Sequence, residues 1–207
     1  MPVSVLVKVV ATEDSLLPPF TGSLIRGLFF KILEDYSPGL GSGIHETPKI
    51  KPYSIKPLKP LSGKKGVKNS KWHIKKGEEL TFGFGILDPN LEAEVLHAVV
   101  SMPDEIRIGK HTIQKEEIKI TKISYERLMP GKTIMFFGIT FKTPTSFKSP
   151  AGKAPGLFPE PQRIFHNLVN IWNEYAGEDL TIEKEQFIEW IEYNVHTKHY
   201  KLQTREI

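Results

Sequence analysis

Residues 20–58 read FTGSLIRGLFFKILEDYSPGLGSGIHETPKIKPYSIKPL, and the fold turns on how this stretch divides. Leu24, Leu28, Phe29, Ile32 and Leu33 recur at three- and four-residue steps, the period of a helix with one buried face. The spacing predicts a helix from Thr21 to Tyr36, capped by a side-chain oxygen of Thr21 or Ser23. Ser37, Pro38 and Gly39 stop it, because proline lacks an amide proton and glycine is free to turn. His45 follows outside any periodic pattern, flanked by Gly41 and Gly43, and is expected on a loop. Lys49, Lys51, Lys56 and Lys59 then alternate with apolar or proline positions, and Tyr53 to Leu61 reads as a strand. A histidine beside stacked ammonium groups is equipped to move protons next to a phosphate.

Upstream, VSVLVKVVA at residues 3–11 is β-branched and nearly continuous, as a buried central strand would be. Downstream, Ser62 to Ser70 is a turn-rich loop. Lys71 to Lys76 and Glu79 to Leu87 read as two arms of a hairpin across Lys76-Gly77-Glu78. Thr81, Gly83 and Gly85 alternate with Phe82, Phe84 and Ile86, giving one bare and one apolar face. Pro89 and Asn90 open a second helix, Leu91 to Ser101, and Ile106 to Ile123 forms a long hairpin. That order is β-α-β-β-α-β, the ferredoxin-like arrangement, with two helices on one sheet face and the other face free. RNA-binding modules use such a freed face.

After Met129, Pro130 and Gly131 the pattern restarts. Thr133 to Phe141 reads as a strand, Lys142 to Pro161 as a loop, and Gln162–Tyr175 and Leu180–Tyr193 as helices. Trp172 and Trp190 lie on their apolar stripes and are expected in the core. The expected fold class is α+β, with tandem ferredoxin-like (RRM-like) domains. The first spans residues 1–128 and the second, incomplete, residues 129–207.

Ten lysines and no acidic residue fall within residues 49–76 of a chain whose net charge is +4, so the remainder carries −6. Such asymmetry predicts a polyanionic partner. Tyr53, Trp72 and His73 interleave with these lysines, and aromatic faces stack on bases. Without cysteine the chain has no disulfide or thiolate metal site, and a reducing cytoplasm is the default compartment. No apolar run is long enough for a membrane helix, so no membrane partner is expected. GSGIHE lacks the Gly-Lys-Ser/Thr ending of a phosphate-binding loop, and no Gly-x-Ser-x-Gly elbow occurs. His45-x-Thr47 has no second His-x-Ser/Thr to complete a two-histidine phosphoesterase pair. His196 and His199 have helical metal-ligand spacing but no third ligand, so no metal is expected.

Four stretches carry a family resemblance: GSLIRGLFFKIL, HETPKIKPYSIKPL, FGITFKTPTSFK and PEPQRIFHNLVNIWNEYAG. They resemble the CRISPR-associated RAMP endoribonucleases that cut repeat RNA, the Cas6 family, through nearly the whole chain. Family members usually continue through a glycine-rich loop near the C-terminus, which is not expected within these residues. The resemblance implies a metal-independent, cofactor-free enzyme. The ribose 2′-hydroxyl attacks its own 3′-phosphate, leaving a 2′,3′-cyclic phosphate and a 5′-hydroxyl end. In some members a tyrosine, a histidine and a lysine carry this step. His45 and Lys49 match the histidine and the lysine, whereas the tyrosine position falls on Phe30, with Tyr36 and Tyr53 left as alternative hydroxyls. Arg26, Lys51, Lys56, Lys59, Lys142 and Lys148 are the expected RNA-binding residues. The implied partner is CRISPR repeat RNA, with other CRISPR-associated proteins or a homodimer partner beside it. The alternative is a non-catalytic RAMP subunit that holds CRISPR RNA in a ribonucleoprotein.

Overall fold

In strand β1 (Val3–Ala11) the odd-numbered side chains Val3, Val5, Val7, Val9 and Ala11 are buried and the even ones half-buried. The apolar run is therefore a central strand with one dry face rather than two. The computed structural model describes residues 1–46, 50–63, 66–68, 71–129, 136–140 and 160–198. The chain divides into two compact units, Met1–Pro130 and Gly131–Ile207.

In the first unit β2 (Ser15–Leu17), α1 (Gly22–Tyr36) and α2 (Leu40–Glu46) follow β1. Then come β3 (Tyr53–Pro60), β4 (Val67–Lys68), β5 (Lys71–Ile74), β6 (Glu79–Ile86), α3 (Glu92–Val100), β7 (Glu105–Ile108), β8 (His111–Lys122) and α4 (Tyr125–Leu128). The main sheet is antiparallel in the order β3-β6-β1-β8-β7. Its first four strands have the ferredoxin-like order that the sequence pattern predicts. β7 is added by a tight hairpin whose turn needs Gly109 at φ 62°, a left-handed conformation that favours glycine.

α1 buries Ile25, Leu28, Phe29, Ile32 and Leu33 and packs on β3, β6, β7 and α3. The Phe29 ring lies 4.9 Å from that of Phe84 and 5.2 Å from that of Tyr53. α3 is preceded by a 3-10 turn, Pro89–Leu91, which the Asp88 carboxylate opens by accepting the Asn90 N–H at 2.8 Å. It adds Val95, Ala98 and Val99 to the same core. Thr21 stands at the N-cap of α1, but its hydroxyl donates to the Leu58 carbonyl at 3.2 Å instead of capping the helix. That bond ties α1 to β3 and corrects the expected cap.

The expected hairpin between residues 71–76 and 79–87 does not form. β5 pairs with β2 and β4 in a separate three-stranded sheet, while both edges of β6 are taken by β1 and β3. The cause is local. Asp14 accepts the Lys76 N–H at 2.8 Å and the Lys75 ammonium at 3.1 Å, and the Gly77 N–H donates to the Ala11 carbonyl at 2.8 Å. These bonds hold the 75–77 turn against the segment that follows β1. Alternation along β5 then buries Trp72 completely and exposes Lys71 and His73. Trp72 is a core residue and has no face free for a base, contrary to the expectation.

On the sheet face opposite α1, register sets Ser4, Ser54 and Gly85 abreast, and likewise Leu6, Lys56 and Gly83. A Cβ at Gly83 would collide with the Val5 carbonyl oxygen, so glycine is needed there for strand approach.

Glu92, in the first turn of α3, accepts a hydrogen bond from the Lys122 ammonium at the end of β8. That bond, more than any other influence, holds the Glu92 carboxyl below its ordinary range. A carboxyl held low in the fold stabilises it above the ordinary glutamate pKa of about 4.3 and stops doing so as pH falls through the folded value. Glu92→Gln is therefore expected to be less stable than wild type at pH 7. The gap should narrow as the pH is lowered below about 4.3, as read by urea midpoints across that range.

In the second unit α5 (Pro161–Tyr175) and α6 (Lys184–Asn194) pack together, with Val169 and Ile191 buried. They are joined through Gly177 at φ 98° and a 3-10 turn, Glu178–Leu180. The Trp172 indole N–H donates to the Leu180 carbonyl at 2.7 Å, and Asn173 and Ile182 exchange two hydrogen bonds. Trp190 is 55% exposed, not in the core as expected, because Phe187 and Ile191 take the stripe that meets α5. Of the strand expected from Thr133 to Phe141, residues 136–140 are described and carry no strand. Among the described residues no helix is long and apolar enough to cross a membrane.

Candidate functional site

His45 sits in the last turn of α2, on a helix and not on the expected loop. Gly39, at φ 89°, reverses the chain after α1. Leu40 and Ile44, one helical step apart, then turn towards the core, where Ile44 is buried. Gly41 is also buried, and a Cβ there would stand 3.0 Å from the Phe30 carbonyl oxygen. A small residue thus lets α2 lie close on α1. The three glycines that suggest a loop hide a helix seated by its apolar pair.

The exposed His45 imidazole meets the Phe30 ring edge to face, with centroids 5.3 Å apart. Phe30 also meets Tyr53 edge to face at 5.4 Å, and the Arg26 guanidinium lies 5.7 Å from the Phe30 centroid. Arg26 and Phe30 are one turn apart on α1, which places both on one face of that helix. A cavity of about 410 Å³ opens here, lined by Phe30, Lys31, Glu34, Gly41, Ser42, His45 and Glu46. The Lys51 ammonium donates to the His45 carbonyl at 2.6 Å.

The structure therefore brings Arg26 and His45 together on the Phe30 ring and sets Lys51 on the His45 carbonyl. It sets Lys56 and Lys59 apart. Tyr53 and Ile55 of β3 pack towards α1, so Lys56 projects to the opposite sheet face and donates to Ser4 Oγ at 2.6 Å. Lys59 is exposed opposite Thr81 of β6. Lys49, Lys142 and Lys148 lie outside the described residues. Of the two alternative tyrosines, Tyr53 shares the Phe30 ring with His45, whereas Tyr36 packs beside His97 at 6.5 Å.

Two features have no clear sequence signal. Glu34 accepts the N–H groups of Gly39 and Gly41 at 2.8 and 3.2 Å and so holds the start of α2. Lys8 pairs with Glu79 and Glu116, whose hydrogen bonds push its ammonium well above the usual lysine range. Among the described residues no group of three His, Cys, Asp or Glu side chains could hold a metal ion.

Residues 3–123 match the Cas6 N-terminal domain, and residues 139–204 match the CRISPR-associated endoribonuclease Cas6. The chain belongs to the Cas6 family. Among solved structures it is similar to a Thermus thermophilus Cas6 product complex, at 23% identity and TM-score 0.61, covering 93% of this chain and 73% of that one. A second Cas6 product complex matches at 17% identity and TM-score 0.58, covering 86% of this chain and 66% of that one. A RAMP protein described as binding different RNA substrates matches at 14% identity and TM-score 0.55, over 85% and 72%. The chain thus spans about two thirds to three quarters of the length of these structures. At these identities the likeness shows the fold, the tandem ferredoxin-like architecture of Cas6 proteins. No curated protein matches the chain.

Proposed function

We propose that this Cas6-family chain is an endoribonuclease that cuts CRISPR repeat RNA within precursor transcripts, with no metal ion in the chemistry. The observation that carries the proposal is the exposed His45 imidazole, set edge-on to Phe30 with the Arg26 guanidinium on the same ring. The 2′-hydroxyl beside the scissile phosphate loses its proton and attacks phosphorus, and the 5′-oxygen of the next nucleotide leaves with a proton. The products are a 2′,3′-cyclic phosphate and a 5′-hydroxyl. His45 takes the first proton or supplies the second, the role to which imidazole is suited near neutrality. Lys49, four residues on, meets the charge that builds on the phosphorane. Arg26, Lys56, Lys59, Lys142 and Lys148 bind the RNA backbone.

One observation favours the second reading, a RAMP subunit that holds CRISPR RNA beside other CRISPR-associated proteins or in a homodimer. The ring of Phe30, which the family resemblance sets at the position of an assisting tyrosine, has no hydroxyl and is closed in by His45, Tyr53 and Arg26. Two labelled repeat RNAs separate the readings, one unmodified and one carrying a single 2′-deoxy nucleotide at the cut. The endoribonuclease cleaves the first and binds but does not cleave the second. Tight binding of both with no product supports the holder.

A further inference from the structure

We propose, on the basis that His45 is the proton-transfer group, that Glu34 and Lys51 are positioning residues that clamp the two ends of the His45 helix. α2 has seven residues, and helices this short do not hold themselves in water. Both ends of any helix leave backbone groups without intrahelical partners. At the start of α2, Glu34 Oε1 accepts from the Gly39 N–H at 2.8 Å and Oε2 from the Gly41 N–H at 3.2 Å. A carboxylate at a helix N-terminus also complements the helix dipole. At the other end, Lys51 Nζ donates to the His45 carbonyl at 2.6 Å, an ammonium on the negative end of the dipole.

The two clamps come from outside the helix, one from α1 and one from the segment entering β3. Between them only Ile44 and Gly41 of α2 are buried. Lys51 grips the carbonyl of the same residue that carries the imidazole. The clamp therefore fixes the backbone from which the reactive ring projects, and Lys51 acts on RNA through His45 and not as a phosphate ligand. Misplacing a reacting group by about 1 Å can cost up to ~10²-fold in rate.

The test uses Glu34→Ala, Lys51→Met, Lys51→Arg and His45→Ala, each assayed for single-turnover cleavage of repeat RNA at saturating protein. Binding to the 2′-deoxy RNA is measured across a salt series. Glu34→Ala and Lys51→Met are expected to cut roughly 10–10²-fold more slowly, with unchanged affinity and salt slope. Lys51→Arg should recover most of the rate, because a guanidinium also donates to a carbonyl. The clamp is overturned if Lys51→Met cuts at the wild-type saturating rate but binds more weakly with a salt slope lower by about one, the behaviour of a phosphate contact. It is equally overturned if both clamp variants match wild type while His45→Ala is inactive, which leaves the role of His45 intact. Wild-type cleavage by His45→Ala removes that role, and the clamp's purpose with it.

Discussion

His45→Ala is expected to slow cleavage of repeat RNA by about 10²–10⁴-fold, the usual worth of a positioned acid or base. The effect should appear in the rate at saturation and not in affinity, because a group that moves a proton in the transition state adds little to ground-state binding. Stability should stay within about 0.5 kcal/mol of wild type, as for other surface substitutions. Ile44, not His45, is the residue of the α2 C-terminal turn that enters the core, and the imidazole is exposed with its edge to Phe30. Single-turnover rates, binding isotherms and thermal melts on the one variant separate these three quantities. A wild-type rate in the alanine variant would sink the assignment of His45.

Phe29→Ala is expected to give the largest loss of stability, about 3–5 kcal/mol for a fully buried phenylalanine. The ring is wholly buried and lies within 4.9 to 5.5 Å of Phe84, Tyr53 and Phe30, centroid to centroid. Its loss leaves a cavity between α1 and β3–β6 that neighbouring aromatic rings cannot fill without leaving their own contacts. Phe30 and Tyr53 both rest against it, so cleavage at permissive temperature should fall as well, by loss of the surface that sets His45. Denaturant midpoints and m-values measure the first effect. Leu168→Ala on α5, where the side chain is 50% exposed, serves as the contrast and should change stability little. A cost below about 1 kcal/mol at Phe29 would contradict the core described here.

The main sheet was legible because its signals are local. β-branched runs, a 3.6-residue period in α1 and clean alternation in β6 and β8 each name an element. Their order then leaves few topologies. The second sheet was not legible. One edge of β5 pairs with Ser15–Leu17, more than fifty residues earlier, and the bonds that bring them together run through Asp14, whose neighbours give no strand signal. Chain proximity suggested a hairpin, and long-range pairing overrode it. The face that Trp72 buries depends on this second sheet and was hidden with it. Around the candidate site, histidine and lysine could be picked by chemistry, but not the face on which each stands. Lys51 and Lys56 are five residues apart, yet one bonds to the α2 terminus and the other to Ser4 on the far side of the sheet. The helix under His45 was hidden because only Leu40 and Ile44 mark its period among three glycines.

The most direct measurement is single-turnover cleavage of end-labelled repeat RNA in excess EDTA, by wild type and by His45→Ala, with the product ends identified chemically. The expected result is cleavage by wild type at one position, leaving a 2′,3′-cyclic phosphate and a 5′-hydroxyl, and little or none by the variant. Cleavage that EDTA abolishes, products ending in a 5′-phosphate, or equal rates for the two proteins would contradict it.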